Sequence, residues 1–555
     1  MRIAMAQINP TVGDFSGNAT KILEYISKAK KENADVVVFP ELAVAGYPPQ
    51  DLLMERSFLE ANRKALDEIV KKTEGIAVIV GFVDYNDDDL FNAAAVIQNR
   101  AIVRIVHKTL LPTYDVFDEA RYFTPQEIED IQPVSLKIGS RDVRFGVQIC
   151  EDLWDDEYKI KVTDILVERG AQVVLNISAS PFYSAKSFER EEEVRDRAVA
   201  NKVPIFLTNL IGGQDELVFS GQSVAIGPDG IVIATGEDFD EDLVTTDLDD
   251  KTMTAPGVPK PSYNKHGEIF NALVLGIRDY FKKTGFERAV LGLSGGIDSA
   301  LTACIAVEAL GPENVIGVSM PSKFSSDHSK SDAKLLAENL GIQFVTVSIQ
   351  DTVDQFHAST SQVLDELRNL HKVTSADDDP VANENIQPRV RGNILMDISN
   401  RFRDLGILVL NTGNKTELAL GYCTLYGDMT GGVGVIGDVS KLEVYALAKW
   451  YNKHKGRQVI PEGSIEKKPS AELKPDQYDP FDFDVVSPMV DDIVENRKSQ
   501  AELVQMGYPP DIVKDVYSRI RRAEYKRWQA PPCIKITRKA FGVGWKMPIV
   551  NKHMG

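Results

Sequence analysis

At 555 residues the chain is too long for one core, since domains usually hold roughly 100–250 residues, so two or three are expected. With 43% hydrophobic and 26% charged residues, and no apolar run near the roughly 20 residues a membrane span needs, the composition is that of a soluble globular protein with no membrane partner. A formal charge of −19 argues against nonspecific nucleic-acid binding, so any anionic ligand must be held by local groups.

The opening stretch MRIAMAQINPTVGDF has no long apolar segment and does not read as a secretory signal, so a cytoplasmic protein is expected. The first half predicts a strand at RIAMAQI, a helix near Lys21 to Lys31, then strands at ADVVVFPE, IAVIVGF, NAAAVIQN, AIVRIVHK, VRFGVQIC, AQVVLNIS, VPIFLTNL and SVAIGPDG. Repeated short β-rich runs with helical stretches between several of them suggest a layered α/β domain over residues 1–245. The Pro-rich TAPGVPKPSYNKH reads as part of a linker, 246–264. A helix toward Phe281 follows, and from Ala289 strands AVLGL, NVIGVSM and QFVTVSI alternate with helices SALTACIAVEAL and SDAKLLAENLG. That is the pattern of a doubly wound parallel sheet over 265–555, with ligands at the carboxyl ends of the strands. Two polar stretches, TSADDDPVANENIQP and PEGSIEKKPSAELKPDQYDPFDFD, read as loops, either lids or disordered segments.

Cys150, Cys304, Cys423 and Cys533 lie far apart without CxxC spacing, which disfavours a zinc site or disulfide framework. The seven histidines form no HExxH pair. The stretch LSGGIDSA, Leu293 to Ala300, is more specific. A strand ending in Ser294, Gly295 and Gly296 and opening a helix exposes unpaired N–H groups at a positive helix terminus, a ready anion site. Ser299 adds a hydroxyl. Asp298 would repel a phosphate there unless Mg²⁺ lies between them, and Mg²⁺ takes one or two carboxylates plus phosphate oxygens. The stretch therefore points to Mg-pyrophosphate. In LVLNTGNKTELALGYCTLYGDMTGG a second strand ends in a turn, Thr412-Gly413, where Lys415 is expected to neutralise phosphate and Glu417 to complete the metal site with Asp298.

The S-G-G-x-D-S loop after a strand resembles the signature of the ATP pyrophosphatases, which cleave ATP to AMP and pyrophosphate while adenylating a carbonyl oxygen. That resemblance implies an adenine nucleotide alpha hydrolase-like, Rossmann-like domain. The run from Leu408 to Gly432 is similar to a motif of NAD synthetases, in which Thr412 would contact ATP, Glu417 the metal and the deamido-NAD site, and Asp428 the deamido-NAD region. QPRVRGN with Arg389 and Arg391, GDVSKLEVY with Lys441, KKPSAEL with Ser470 and RAEYKRWQAP with Lys526 are similar as well. By that resemblance they would bind deamido-NAD, ATP, ATP through a lid, and the dinucleotide; Leu293 would join the ATP loop. Leu425 stands where ammonia-dependent synthetases carry a lysine, which leaves the dinucleotide contacts at that position open.

In the first half three stretches each place a reactive side chain just past an apolar strand: Glu41 in VVVFPELAVAGYPPQD, Lys108 in VHKTLLPTYDVFDEARYF, and Cys150 in FGVQICEDLW. A lone cysteine after a strand is more often a small buried apolar residue. Together, though, a carboxylate can take the thiol proton, an ammonium can stabilise thiolate and oxyanion, and the thiol can attack a carbonyl. Glu, Lys and Cys in this order and context resemble the nitrilase, or carbon–nitrogen hydrolase, superfamily, which implies an α-β-β-α sandwich. KTLLPTYDVFDEARYF and CEDLW are most similar to glutaminase domains of glutamine-dependent NAD synthetases, so Tyr114, Ser180 and Lys186 would bind glutamine, with Trp154 near the pocket and Glu119 as a second carboxylate.

An amidase that releases ammonia and an adenylating domain that needs it belong together, because free ammonia is mostly protonated at neutral pH and an acyl-adenylate hydrolyses. The resemblance implies Mg²⁺ as cofactor, L-glutamine, ATP and deamido-NAD as small-molecule partners, and a homo-oligomer, a dimer or larger. The expected reaction amidates deamido-NAD through an adenylated nicotinate, using ammonia from a cysteine thioester and passing it through an internal tunnel. Another AMP-forming, glutamine-dependent ligase acting on a different carboxylate is the alternative. A nucleotide-binding sensor with an inert amidase half would not need both sets of reactive side chains.

Overall fold

Short runs of β-branched residues, buried on both faces, form the strands, and the apolar stripes of the intervening segments form the helices that cover them. The computed structural model describes residues 1–259, 263–372, 380–474 and 477–553. The chain divides into two units, Met1–Tyr263 and Asn264–Gly555.

The first unit contains β1 (Arg2–Gln7), β2 (Val36–Val38), β3 (Ala77–Tyr85), β4 (Leu90–Gln98), β5 (Ala101–His107), β6 (Val134–Ile138), β7 (Arg141–Ile149), β8 (Val173–Ser178), β9 (Ile205–Asn209), β10 (Ile211–Gln214), β11 (Leu217–Ser220), β12 (Val224–Ile226), β13 (Val232–Thr235) and β14 (Asp242–Asp247). Two six-stranded sheets, β14-β1-β2-β3-β4-β5 and β13-β12-β9-β8-β7-β6, share one core, and β10-β11 form a separate hairpin. Ile3, Met5, Val36, Val38 and Ile79 of the first sheet pack with Phe145, Val147, Val173, Leu175 and Ile177 of the second. The alternate residues, Ala4, Val37, Val78 and Val80, face outward onto helices Phe15–Lys31 and Arg56–Lys72 through Ile22, Ile26, Leu66 and Ile69. On the far side Val174, Ile205 and Leu207 meet Val194 and Ala198 of helix Lys186–Asn201. This period-two division of each strand yields the α-β-β-α order. Strand β14 runs two residues past position 245 and pairs with β1 from Arg2↔Asp247 to Gln7↔Asp242.

The second unit contains β15 (Arg288–Gly292), β16 (Val315–Ser319), β17 (Gln343–Thr346), β18 (Ile407–Asn411) and β19 (Val433–Gly434), in the order β17-β16-β15-β18-β19. Every pair in it is parallel. Helix Ile297–Leu310 follows β15 and is buried over Ile297 and all of Ser299–Ala306, which explains why AVLGL and SALTACIAVEAL both read as apolar. The strand order reverses beside β15, the place where ligands bind in such sheets. Helices Phe483–Val494 and Pro510–Arg522 pack on Lys415–Leu420 through Met489, Val490, Val516 and Leu418.

The first long polar stretch departs from the expectation of a loop, whereas the described part of the second keeps to it apart from a short helix and the start of another. Residues 373–379 and 475–476 lie outside the described residues, but helix Pro380–Arg401 takes up the second half of TSADDDPVANENIQP. Its apolar residues Ile386, Val390, Ile394 and Ile398 recur every four residues and join the core cluster around Val318, Ile407 and Val409, which outweighs the acids before it and Pro388 within it. Glu462–Glu466 is a short helix, and the segment after it lines a cleft. The linker stretch holds residues 260–262, outside the description, and ends in a helix from Lys265 capped by Asn264. All four cysteines are free, and among the described residues no helix is long and apolar enough to cross a membrane.

Candidate functional sites

In the first unit Glu41 follows β2, Lys108 follows β5 and Cys150 follows β7, so three strand ends converge on one site. Lys108 donates to Glu41 Oε1 at 2.7 Å and to both oxygens of Glu119 at 2.9 and 2.8 Å. Asn92 also donates to Glu41 Oε1 at 2.7 Å, and the Ala179 N–H to Glu41 Oε2 at 2.9 Å. Tyr47 donates to Glu119 at 2.9 Å. The arrangement is sealed and leaves these carboxylates little freedom. Burial opposes the charge on Lys108, but Glu119 and Glu41 more than offset this and hold its ammonium protonated well above the ordinary lysine range. Burial, then Glu41, pushes the Cys150 thiol up, against the pull of Lys108, so the resting nucleophile is a thiol beside a base. Burial likewise raises Glu119. Cys150 opens a short turn, Cys150–Leu153, with φ of 45°, an uncommon conformation for a side-chain-bearing residue.

Around this set, Tyr114 donates to Glu151 at 3.0 and 3.1 Å, and Tyr158 donates to Glu151 at 3.0 Å. The Lys186 ammonium sits 3.7 Å from the centre of the Trp154 ring. The Ser180 N–H donates to Asn209 Oδ1 at 2.9 Å. Tyr47, Asn92 and Glu151 escaped the sequence reading. Glu151 had the best signal, as the neighbour of Cys150 in a run also singled out for Trp154.

In the second unit the ends of β15, β16 and β18 open onto a cleft of about 310 Å³. Leu293, Ser294, Gly296, Asp298, Ser299, Thr412, Glu417, Asp428, Arg391, Lys441 and Ser470 all line it. Gly295 completes the loop with φ of 81°, and a Cβ there would lie 2.2 Å from the Ser329 carbonyl oxygen, so only glycine fits. Ser294 and Ser299 hydroxyls share a hydrogen bond at 3.2 Å, and Ser299 also donates to Gly296 O at 3.1 Å. Lys441 donates to Asp298 Oδ2 at 2.5 Å and to Glu417 Oε1 at 3.4 Å. Asn414, missed in the sequence, donates through Nδ2 to Asp298 at 2.9 Å while its Oδ1 accepts from the Glu417 N–H at 3.0 Å. The N-x-x-E capping-box spacing was its available signal.

Burial, with Asp298 acting in the same direction, raises the Glu417 carboxyl to about 8 despite Lys441. Burial raises Asp428 to about 6. With the Glu417 carboxyl protonated at neutral pH, Asp298 and Lys441 balance each other, and a bound cation would release that proton and leave two carboxylates as ligands. That hard oxygen donor set fits Mg²⁺, which needs no more than one or two carboxylates beside phosphate oxygens; among the described residues no group of three or more His, Cys, Asp or Glu side chains assembles a metal site.

Three basic residues depart from the roles their sequence contexts suggested or stand outside the cleft. Lys415 does not face phosphate: it is fully buried, 2.9 Å from Glu495 and 3.3 Å from both Asp438 and Asp491, because the turn after Asn414 directs it under the helix rather than into the cleft. Arg389 is exposed and donates to Leu425 O at 3.1 Å. Lys526 donates to the carbonyls of Gly421 and Cys423 at 2.8 and 2.7 Å, bracing the segment that leads to Asp428.

Residues 2–255 match the carbon-nitrogen hydrolase family and residues 269–530 the NAD synthase family. The chain is similar to the glutamine-dependent NAD(+) synthetase of Thermotoga maritima, with 40% identity over 590 residues spanning 100% of this chain and 99% of that one. It is also similar to the glutamine-dependent NAD+ synthetase of Acinetobacter baumannii, whose structure was solved with ADP, at 35% identity and a TM-score of 0.77 over 99% of this chain and 98% of that one. A glutamine-dependent NAD(+) synthetase from Cytophaga hutchinsonii shares the fold, with a TM-score of 0.82 at 22% identity over 99% and 98% of the two chains. With both catalytic units present in one chain and likeness across its full length, this protein belongs to the glutamine-dependent NAD(+) synthetase family.

Proposed function

We propose that the first unit hydrolyses L-glutamine on Cys150 and that the second spends the ammonia on deamido-NAD. Cys150 Sγ attacks the side-chain amide carbon while Glu41 takes the thiol proton; Lys108 faces the developing oxyanion. Collapse expels ammonia with the proton from Glu41 and leaves a γ-glutamyl thioester, which water, deprotonated by Glu41, cleaves to glutamate and free thiol. Glu119 keeps Lys108 charged and aimed. Tyr114, Ser180, Lys186 and Trp154 hold the amino-acid end of glutamine.

In the second unit the Ser294–Ser299 loop and the N-terminus of helix Ile297–Leu310 cradle the ATP phosphates, with Leu293, Thr412, Lys441 and Ser470 around the nucleotide. Asp298 and Glu417 would hold Mg²⁺, which when bound offsets the charge of the departing pyrophosphate. The nicotinate carboxylate attacks the α-phosphorus, pyrophosphate leaves, and ammonia then displaces AMP from the acyl-adenylate to give the amide of NAD⁺. Arg391 and Asp428 face the dinucleotide; Arg389 and Lys526 support the surrounding segments. A free thiol nucleophile suits a reducing, cytoplasmic setting. Exposed Phe356, Val363, Leu364, Leu367 and Leu370 on helix Gln350–His371 support pairing of copies through the second unit.

The observation that carries this reading is the presence of two separate constellations, Glu41–Lys108–Cys150 and Asp298–Glu417–Lys441, each tied together by hydrogen bonds or electrostatic coupling. The test is NAD⁺ formation from deamido-NAD and Mg-ATP, with glutamine or ammonium as nitrogen source. Cys150→Ala should abolish the glutamine-supported reaction and spare the ammonium-supported one; loss of both in folded protein would contradict the division of labour.

A further inference from the structure

Asp152 is 1% exposed and is the third residue of the turn that begins with Cys150. Its Oδ2 accepts the N–H of Ile149, the residue before the nucleophile, at 2.9 Å. Its Oδ1 accepts the N–H groups of Thr109 at 3.0 Å and Leu110 at 2.8 Å, the two residues after Lys108. One carboxylate therefore gathers three backbone donors from two chain segments. One segment leaves β5 in the first sheet and the other leaves β7 in the second, so without a tie nothing in either ladder fixes Lys108 relative to Cys150. Cys150 also holds φ of 45°, a conformation of the kind that costs of order 1–3 kcal/mol and persists only where neighbours over-determine it. Burial raises the Asp152 carboxyl to about 7 against the pull of its three N–H donors, and three hydrogen bonds to one buried side chain are enough to over-determine the elbow.

We propose that Asp152 is the positioning residue of the thioester chemistry: its carboxylate clamps the Cys150 elbow to the Lys108 turn and sets the register of nucleophile, base and ammonium. The inference rests on the glutaminase reading above. Glu41 and Lys108 are linked by their own hydrogen bond, and Asn176 Nδ2 reaches only the Cys150 carbonyl, at 3.3 Å. Asp152 is the group that ties the backbone on both sides.

Asp152→Asn keeps the size but turns an amide N–H₂ toward backbone donors. The expected result is a fall of about 100-fold in glutamine-supported kcat, the scale of a 1 Å misplacement of reacting groups, with the glutamine KM moved less than about threefold and ammonium-supported synthesis retained. Iodoacetamide labelling of Cys150, read on its peptide by mass spectrometry, should slow by about tenfold as the thiol loses its aligned base. A purely structural role would give the opposite labelling result, because loosening the unit exposes the thiol. Labelling as fast as wild type or faster, or kcat within about threefold in folded protein, overturns the clamp. Should the variant not fold, hydrogen exchange of the wild-type chain decides: the amides of Ile149, Thr109 and Leu110 exchange as one slow set if Asp152 clamps them, and independent exchange overturns the proposal. Cys150→Ala run alongside separates the two levels, since survival of glutamine-supported synthesis there would sink the glutaminase reading itself.

Discussion

Lys108 and Lys441 are both lysines held between two carboxylates, yet their settings differ. The side chains of Lys108 and its partners Glu41 and Glu119 are 0%, 0% and 6% exposed, whereas those of Lys441, Asp298 and Glu417 are 4%, 20% and 21% exposed and line an open cleft. The first trio is satisfied within the protein, with Asn92, Tyr47 and the Ala179 N–H filling remaining positions. In the proposed reaction it would act on a neutral amide, for which a prebuilt field needs no help from the substrate. The second trio would face polyanionic substrates in that proposal, and its partly buried carboxylates are where a cation and phosphates would complete the balance. The same charge pattern is thus complete within the protein in one unit and open to a cleft in the other, which on the proposed function separates a finished catalyst from a receptor.

The largest test of that contrast removes Asp298. Asp298→Ala should abolish NAD⁺ formation from glutamine and ammonium alike, while the first unit continues to turn glutamine into glutamate; both products are measured in one assay. Near-normal ammonium-supported turnover would refute the role given to the second trio.

A sealed lysine also exists in the second unit, and it separates burial from catalysis. Lys415→Met leaves Asp438, Asp491 and Glu495 without their shared cation, and breaking a buried pair in this way costs about 3–5 kcal/mol, read by denaturant unfolding. The deficit should depend on pH. Burial, opposed by Lys415, places the folded Asp491 carboxyl at about 6, above the ordinary carboxylate value of about 3.9. Between those values the folded chain binds more protons than the unfolded one, so the contribution of this group to stability declines as pH rises through that window. Without Lys415 the carboxyl rises further, and the gap between variant and wild type should be widest at neutral pH and narrow below about 6. A gap independent of pH would mean that the carboxylates relax into solvent.

Lys415 also marks where sequence reasoning stops. Glu41, Lys108, Cys150 and the Ser294–Ser299 loop were legible because each follows an apolar strand, and strand ends are where such sheets place their sites. Lys415 follows a strand-ending turn as well, but the side of the turn it takes depends on Asp438, Asp491 and Thr537, residues 23 to 122 positions away that no local pattern connects to it. Helix Pro380–Arg401 was hidden for a related reason: its acids and prolines are local signals, while the apolar residues that make it helical are paid back only by packing on β15, β16 and β18. Asp152 lay in the run CEDLW beside Cys150, but its link to the turn after Lys108, 42 to 43 residues away, left no local pattern.

The smallest effect distinguishes two arginines that the sequence could not rank. Arg391 lines the cleft, donates through Nε to Met320 O at 3.0 Å, and is pulled by burial to about 10, low for an arginine but charged at neutral pH. Arg389, two residues earlier on the same helix, falls on another face, is exposed, and uses its Nε on Leu425 O. A hydrogen bond from a charged donor contributes about 1.5–3 kcal/mol, so Arg391→Ala should raise one nucleotide KM by about 10- to 100-fold, and Arg389→Ala by less than about threefold. Steady-state KM values for ATP and deamido-NAD, each measured with the other saturating, show which nucleotide Arg391 serves. Equal penalties for the two variants would mean that this helix turns on binding substrate, and the cleft would then be less preformed than its partly buried carboxylates indicate.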